Sequence, residues 1–227
     1  FRRKNNPNNV TYQEMLNSLN EVQQDKNNVN NMVLSYTNKP SGYYPIAMTE
    51  FNSKTGEREI SMANAIFIAQ ALAEQIKNGF AASILWSFQN GLDNYGGDHG
   101  MTARNSSILN DHYPRPVFYI YHFLQQFMGD RMVWSYSSDL SVKSYASTFA
   151  SGARGVVLVN NSSNFKTVDL DFGIDTMRYN YYWYEVYANN ETDKKIFVNG
   201  QTSNFVEGGP ENYSSIPSYY RPVNGNN

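Results

Sequence analysis

The chain has 227 residues, and 41% of them are hydrophobic, which is enough to bury a sizeable core. Its formal net charge of −2 gives no electrostatic reason to expect nucleic acid or an anionic membrane as a partner. Cysteine is absent, which excludes disulfides, thiolate metal sites and thiol nucleophiles. No apolar run approaches the roughly 20 residues that span a bilayer. Because the sequence opens without an initiator methionine, we expect it to be a piece of a longer protein.

Aromatic residues make up 15% of the chain, including 18 tyrosines, and asparagine is abundant throughout. Aromatic faces stack on the apolar faces of sugar rings, and amide side chains pair with sugar hydroxyls. A tyrosine-rich β-structure with asparagine-rich loops explains the same composition without any ligand, and composition alone favours that explanation.

The first third of the chain alternates between helical and strand patterns. Residues 11–24 have helical spacing with Thr11 as N-cap, and after an asparagine-rich break a second helical stretch covers residues 29–36. Turn residues follow at 39–42, and residues 44–51 read as a short buried strand that contains Glu50 near its end.

The middle third predicts a long helix, a second strand and a third helical region. Residues 61–79 have one apolar face, with Ser61 as N-cap and Gly79 as terminator. Residues 80–88 are almost continuously apolar, which is typical of a parallel strand buried on both faces. After a long polar loop over residues 89–115, Pro116 opens a helix to residue 128.

Beyond residue 129 the pattern changes to short β-branched or aromatic runs separated by Asn, Ser, Gly and Asp, which is typical of an antiparallel sandwich. The predicted runs cover residues 132–136, 142–149, 154–159, 167–172, 179–187 and 195–198. We interpret the aromatic run 179–187 as a strand packed between two sheets. The sequence thus predicts alternating helices and parallel strands of an α/β unit over residues 1–129, followed by an all-β antiparallel sandwich over residues 130–227.

One acidic residue and one aromatic residue lie at the ends of the two predicted parallel strands. Glu50 lies at the end of one strand and Trp86 at the end of the next. In (β/α)8 barrels the carboxyl ends of the strands build the active site, so both side chains would face one pocket. A solvated carboxylate at a strand end fits the Glu50 pattern equally well.

Residues 46–52 (IAMTEFN) resemble the strand-seven motif of the retaining glycosidase clan built on (β/α)8 barrels, and residues 83–88 (SILWSF) resemble its eighth strand. The resemblance implies that residues 1–129 are the C-terminal units of an α/β TIM barrel. It also implies that Glu50 is the catalytic nucleophile and that Trp86 is a platform under the sugar. Residues 86–100 and 208–216 resemble the agarases and porphyranases of glycoside hydrolase family 86. Families 30, 39 and 51 of the clan remain open.

This resemblance implies a secreted or cell-surface endo-hydrolase that cleaves a β-linked galactan, agarose or porphyran, through a covalent glycosyl-enzyme and without a cofactor. A retaining enzyme needs a second carboxyl group roughly 5–5.5 Å from the first. Glu57 and Glu59 are poor substitutes because they follow Glu50 too closely, so we expect the acid/base in an upstream part of the same barrel. Two alternatives stay open: a non-catalytic carbohydrate-binding or structural module, and a related clan glycosidase that acts on xylan or glucan.

Polar residues around the two strand ends are the expected substrate-binding set: Asn52, Asn90, Asp93, Asn94, Asp98 and His99. Amides and carboxylates beside a tryptophan bind hydroxyls in pairs, whereas the competing interpretation is a loop that caps its own turns. A metal site is disfavoured because the spacing of the oxygen ligands is irregular. Arg104 and Arg115 would suit a sulfate group or a surface ion pair, and His112 and His122 are interpreted as structural.

Overall fold

A computed structural model of the protein describes residues 5–173 and 180–222. The helices are α1 Tyr12–Ser18, α2 Val22–Thr37, α3 Met62–Lys77 and α4 Pro116–Phe127. The strands are β1 Ala47–Phe51, β2 Ala82–Leu85, β3 Arg131–Val133, β4 Val142–Thr148, β5 Arg154–Asn160, β6 Tyr181–Trp183, β7 Val186–Tyr187, β8 Phe197–Val198 and β9 Tyr219–Arg221. Helices and a parallel strand pair therefore precede a region of short strands, in the order that the sequence predicts.

The N-terminal helices begin at a capping box. The Thr11 hydroxyl accepts a hydrogen bond from the Glu14 amide, and the Glu14 carboxylate accepts one from the Thr11 amide. The predicted break after residue 24 is wrong, because α2 runs without interruption to Thr37 and ends at Asn38 in the left-handed region (φ 56°). Asparagine costs only about 0.6 kcal/mol relative to alanine inside a helix, so an asparagine-rich stretch does not by itself end one.

Strands β1 and β2 pair in parallel, with Ala47 opposite Ala82 and Phe51 opposite Leu85, and α3 is the connection between them. The Ser61 hydroxyl caps α3 by accepting a hydrogen bond from the Ala63 amide, as predicted. The prediction that residues 80–88 are buried on both faces is wrong, since Ile84 is 55% exposed. Only two strands form this sheet among the described residues, so one face packs on the helices and the other stays open.

The strands beyond residue 130 pair antiparallel in three small sheets. Strands β3, β4 and β5 form a three-stranded meander, while β6 pairs with β9 and β7 with β8.

The predicted strand at 167–172 is wrong: these residues have no regular structure, and Val168 and Leu170 are exposed. Without a partner strand the backbone groups of this segment have no ladder to join. Of the predicted run 179–187, Tyr179 lies outside the described residues and the rest divides into β6 and β7.

The aromatic side chains of β6 and β9 do not lie between two sheets, so that interpretation is wrong. Tyr182 stacks on Tyr220 with ring centroids 4.9 Å apart, and Trp183 lies against Tyr219 at 5.4 Å. Tyr182 keeps 56% and Tyr220 50% of its surface exposed. These cross-strand pairs form because aromatic rings directly opposite each other stabilise a two-stranded ribbon, even where no second sheet covers it.

The main core joins both parts of the chain. Its buried side chains come from α3, α4 and the C-terminal segment 196–216: Met62, Ala65, Ile68, Val117, Tyr119, Phe123, Ile196, Val198 and Ile216. The buried Tyr119 hydroxyl donates to the Pro210 carbonyl at 3.1 Å, and His122 stacks on Phe118 in the same aromatic group. The described residues form no closed barrel. The architecture of a barrel followed by a sandwich, and the boundary near residue 130, therefore stay predictions.

Candidate active site

Glu50 and Trp86 lie at the same edge of the parallel pair. Glu50 is exposed, and its carboxylate has no hydrogen-bond or ion-pair partner among the described residues. Trp86 directly follows β2, its amide donates to the Phe51 carbonyl at 3.1 Å, and its side chain is 53% exposed. The peptide bond from Trp86 to Ser87 is cis. An available carboxylate thus lies one residue from the point where an exposed indole is anchored.

Asn52 ties this edge together. Its Nδ2 donates to the Trp86 carbonyl at 2.5 Å and to the His99 carbonyl at 3.0 Å. Its Oδ1 accepts hydrogen bonds from the Ser53 amide at 2.8 Å and from Asn64 Nδ2 at 3.2 Å. All of its amide hydrogen-bonding groups are therefore occupied within the chain, which makes Asn52 a connector between strand ends.

The loop after β2 makes its turns with its own carboxylates. Asp93 Oδ1 accepts hydrogen bonds from the Tyr95 and Gly97 amides at 2.8 and 3.0 Å, and its other oxygen pairs with Lys54. Partial burial would raise the pKa of Asp93, but these hydrogen bonds outweigh it and the pKa is lowered. The interpretation of a loop that caps its own turns describes Asp93 well.

Asp98 is buried in an ion pair with Arg115. Both side chains are almost fully inaccessible, and Asp98 Oδ2 accepts from Arg115 Nε at 3.1 Å and from Nη2 at 2.9 Å. Asp98 Oδ1 accepts from the Gly100 amide at 2.7 Å. The expectation that Arg115 binds sulfate or lies in a surface pair is wrong, because this guanidinium is part of the interior.

His99 contacts a buried carboxylate that the sequence reasoning set aside. Glu59 is 1% exposed, and its Oε1 accepts from the Thr55 and Gly56 amides at 2.8 and 3.2 Å. Its Oε2 lies 3.3 Å from His99 Nε2, and Lys54 Nζ lies 3.7 Å from Oε1. The sequence marks Glu59 only as an acidic residue between the end of a strand and the N-cap of a helix, and that pattern is a weak indication of a functional residue.

The pKa of Glu59 is raised by burial, against the opposing effects of His99, the Thr55 amide and Lys54. Partial burial alone would lower the pKa of Lys54, but its hydrogen bond to Asp93 and the nearby negative charges raise it. Glu59, His99, Lys54 and Asp93 therefore form one cluster of ionisable side chains under the loop.

Asn90 and Asn94 are the remaining expected residues. Asn90 is half-buried and Asn94 is exposed, and neither side chain has a hydrogen-bond partner among the described residues. Of the eight expected site residues, Glu50, Trp86, Asn90 and Asn94 thus keep groups available to a ligand. The other four, Asn52, Asp93, Asp98 and His99, are held in internal contacts.

Across residues 5–173 and 180–222, His, Asp and Glu side chains do not gather in threes in a way that suits a metal ion. Within the same ranges, every helix is too short or too polar to cross a membrane.

In comparisons with known proteins, no family model matches the sequence and no curated protein matches it significantly. The function of the chain is therefore inferred from the geometry of the site and from the motif resemblance.

Proposed function

We propose that this chain carries the nucleophile and part of the substrate-binding surface of a retaining endo-glycoside hydrolase. The substrate we propose is a β-linked galactan, agarose or porphyran, and the enzyme would be secreted or at the cell surface because a polysaccharide does not enter cells intact. The observation that carries the proposal is the exposed Glu50 carboxylate, which has no partner among the described residues and lies at the same edge of the parallel strand pair as the exposed Trp86 indole. A nucleophile must reach the anomeric carbon, and a platform must stay open to stack on the ring.

In the proposed reaction Glu50 attacks the anomeric carbon while a second carboxylic acid protonates the departing glycosidic oxygen. The glycosidic bond breaks, and a glycosyl ester with Glu50 forms. A water molecule, deprotonated by the second carboxylate, then attacks the same carbon and releases Glu50. The mechanism requires no cofactor.

The second carboxyl group is proposed to come from an upstream part of the same barrel. The two acidic residues nearest to Glu50 in sequence are committed elsewhere. Glu59 is buried under the loop, and Glu57 lies 3.2 Å from Lys194 Nζ. On this proposal the 227-residue chain binds sugar but does not hydrolyse it.

The test compares Glu50→Gln with wild type in the longer protein that supplies the acid/base, using reducing-end release from agarose and porphyran. We expect activity to fall by orders of magnitude, on the order of 10⁴-fold or more, because the covalent step has no substitute nucleophile. Glu57→Gln is the matched control and keeps wild-type activity. Undiminished cleavage by Glu50→Gln would refute the nucleophile assignment.

The exposed aromatic ribbon of β6 and β9 favours a second candidate, a non-catalytic carbohydrate-binding module. Tyr182 and Tyr220 offer half-exposed stacked rings of the kind that bind sugar faces. Binding of galactan oligosaccharides by Trp86→Ala and by Tyr182→Ala separates the two candidates. Loss only in Tyr182→Ala would favour the module, and turnover of xylan or glucan in a substrate panel would favour a related clan enzyme.

A further inference from the structure

Glu59 is a buried carboxylate, and one of its two oxygens has no regular hydrogen bond. Its Oε1 is satisfied by two backbone amides, whereas Oε2 is inaccessible and forms no regular hydrogen bond. An unsatisfied buried charged oxygen costs on the order of 1–3 kcal/mol or more. The group that faces this oxygen is His99 Nε2, at 3.3 Å.

The backbone of His99 holds both strand ends. Its carbonyl accepts hydrogen bonds from the Ser87 amide at 2.9 Å and from Asn52 Nδ2 at 3.0 Å. Asn52 Nδ2 also holds the Trp86 carbonyl, and Ser87 is the next residue after Trp86. A displacement of His99 therefore reaches the indole through two short hydrogen-bonded paths.

The loop backbone packs directly against Glu59. A Cβ on Gly97 would lie 2.6 Å from Glu59 Oε2 and 2.8 Å from the Gly56 carbonyl, so a larger residue cannot fit without moving the loop. Lys54 adds a bridge, because it lies 3.7 Å from Glu59 Oε1 and pairs with Asp93 in the same loop. The ionisable groups that face Glu59 are His99, Lys54 and Asp93.

We propose that Glu59 and His99 form a positioning pair that sets the orientation of the Trp86 platform relative to Glu50. As a role in substrate binding, this inference rests on the proposed function, whereas the effect on Trp86 does not. Neither residue touches the sugar in this scheme. In this scheme the contact between Glu59 and His99 fixes the position of the loop, and the hydrogen bonds of the loop backbone fix the orientation of the indole.

The test uses the 227-residue chain with Trp134→Phe and Trp183→Phe, which leaves Trp86 as the single tryptophan. Trp86 is followed by its emission maximum and by acrylamide quenching, and binding of agaro- and porphyran oligosaccharides is followed by calorimetry. We expect Glu59→Ala to change the quenching constant of Trp86 at least twofold and to weaken binding about tenfold. Glu59→Gln keeps the acceptor for the Thr55 and Gly56 amides but places an amide nitrogen where Oε2 faces His99, so we expect it to change both in the same direction as Glu59→Ala. The matched control Glu57→Ala changes neither.

A pH series separates positioning from a general structural effect. With Glu59 present, the Trp86 signal of the folded protein changes with pH as this carboxyl group titrates, and in Glu59→Gln that change disappears. Gly97→Ala is the second variant: it leaves both side chains intact, moves the loop off Glu59, and gives the same Trp86 shift as Glu59→Ala.

Two results would overturn the inference. One is a folded Glu59→Ala protein with unchanged Trp86 quenching and unchanged affinity, and the other is a Gly97→Ala protein without the shift. If wild type binds no galactan oligosaccharide, the proposed function fails instead, while the fluorescence measurements still decide whether the pair positions Trp86.

Discussion

The buried ion pair between Asp98 and Arg115 gives the prediction with the largest expected effect on stability. Asp98→Asn keeps the Oδ1 acceptor for the Gly100 amide but removes the charge that two guanidinium hydrogen bonds require. The nearest other carboxylate is Glu207, 3.9 Å from Arg115 Nη1. Removing one partner of a buried pair costs about 3–5 kcal/mol, because the other charge stays buried without compensation. We expect a loss of at least about 3 kcal/mol.

Equilibrium urea unfolding followed by far-UV circular dichroism measures this loss. With a denaturant slope of about 2 kcal/mol per molar urea, about 3 kcal/mol lowers the unfolding midpoint by about 1.5 M. The control Glu57→Gln removes a carboxylate that is 66% exposed and pairs with Lys194, so its effect stays within about 1 kcal/mol. Replacing both partners, as Asp98→Leu with Arg115→Met, should recover much of the loss. An Asp98→Asn protein as stable as the control would refute the view that Asp98 is a structural residue.

Three further predictions concern a helix cap, a hydrogen-bonding asparagine and a buried carboxylate in the first half of the chain. Thr11→Ala removes the capping hydrogen bond to the Glu14 amide and should lower the free energy of unfolding by about 1 kcal/mol in urea titrations. Asn52→Ala leaves the Trp86 and His99 carbonyls without their shared donor and should cost about 1–3 kcal/mol, with increased Trp86 quenching; unchanged quenching would contradict the connector role. The third prediction concerns pH: the pKa of Glu59 is raised in the folded state, so its contribution to stability is fully present below pH 4.5 and is lost as pH rises through the folded pKa. Glu59→Gln should therefore lack this decline in stability when unfolding is measured from pH 4 to 8, and an identical decline in the variant would contradict the assignment.

The helices and strands that the sequence predicted well are those with strong local signals. The α3 helix has an apolar face and a serine cap, and Pro116 opens α4 because its missing amide hydrogen is unneeded in the first turn. The break placed within α2 failed because asparagine is a weak helix breaker. The strand at 167–172 failed because strand formation depends on a partner, which local sequence does not reveal.

The candidate site shows the same division. Glu50 and Trp86 follow from their places at the ends of two parallel strands, since consecutive parallel strands end at the same edge. The ion pair of Asp98 with Arg115 did not follow, because the two residues are 17 positions apart in a polar loop whose path has no regular pattern. Glu59 was set aside because its importance comes from burial and from a contact with His99, 40 positions away.

By itself, the sequence determined the order of the elements up to residue 129, the parallel direction of the first strand pair and the identity of the residues at its edge. These depend on hydrophobic period, caps and turn residues, which act within a few positions. Only the tertiary structure decided which polar side chains stay available and which are spent on internal contacts, as Asn94 and Asp98 illustrate. The physical reason is that burial and pairing depend on packing between distant segments, and a carboxylate in solvent and one against a guanidinium have the same letter in the sequence.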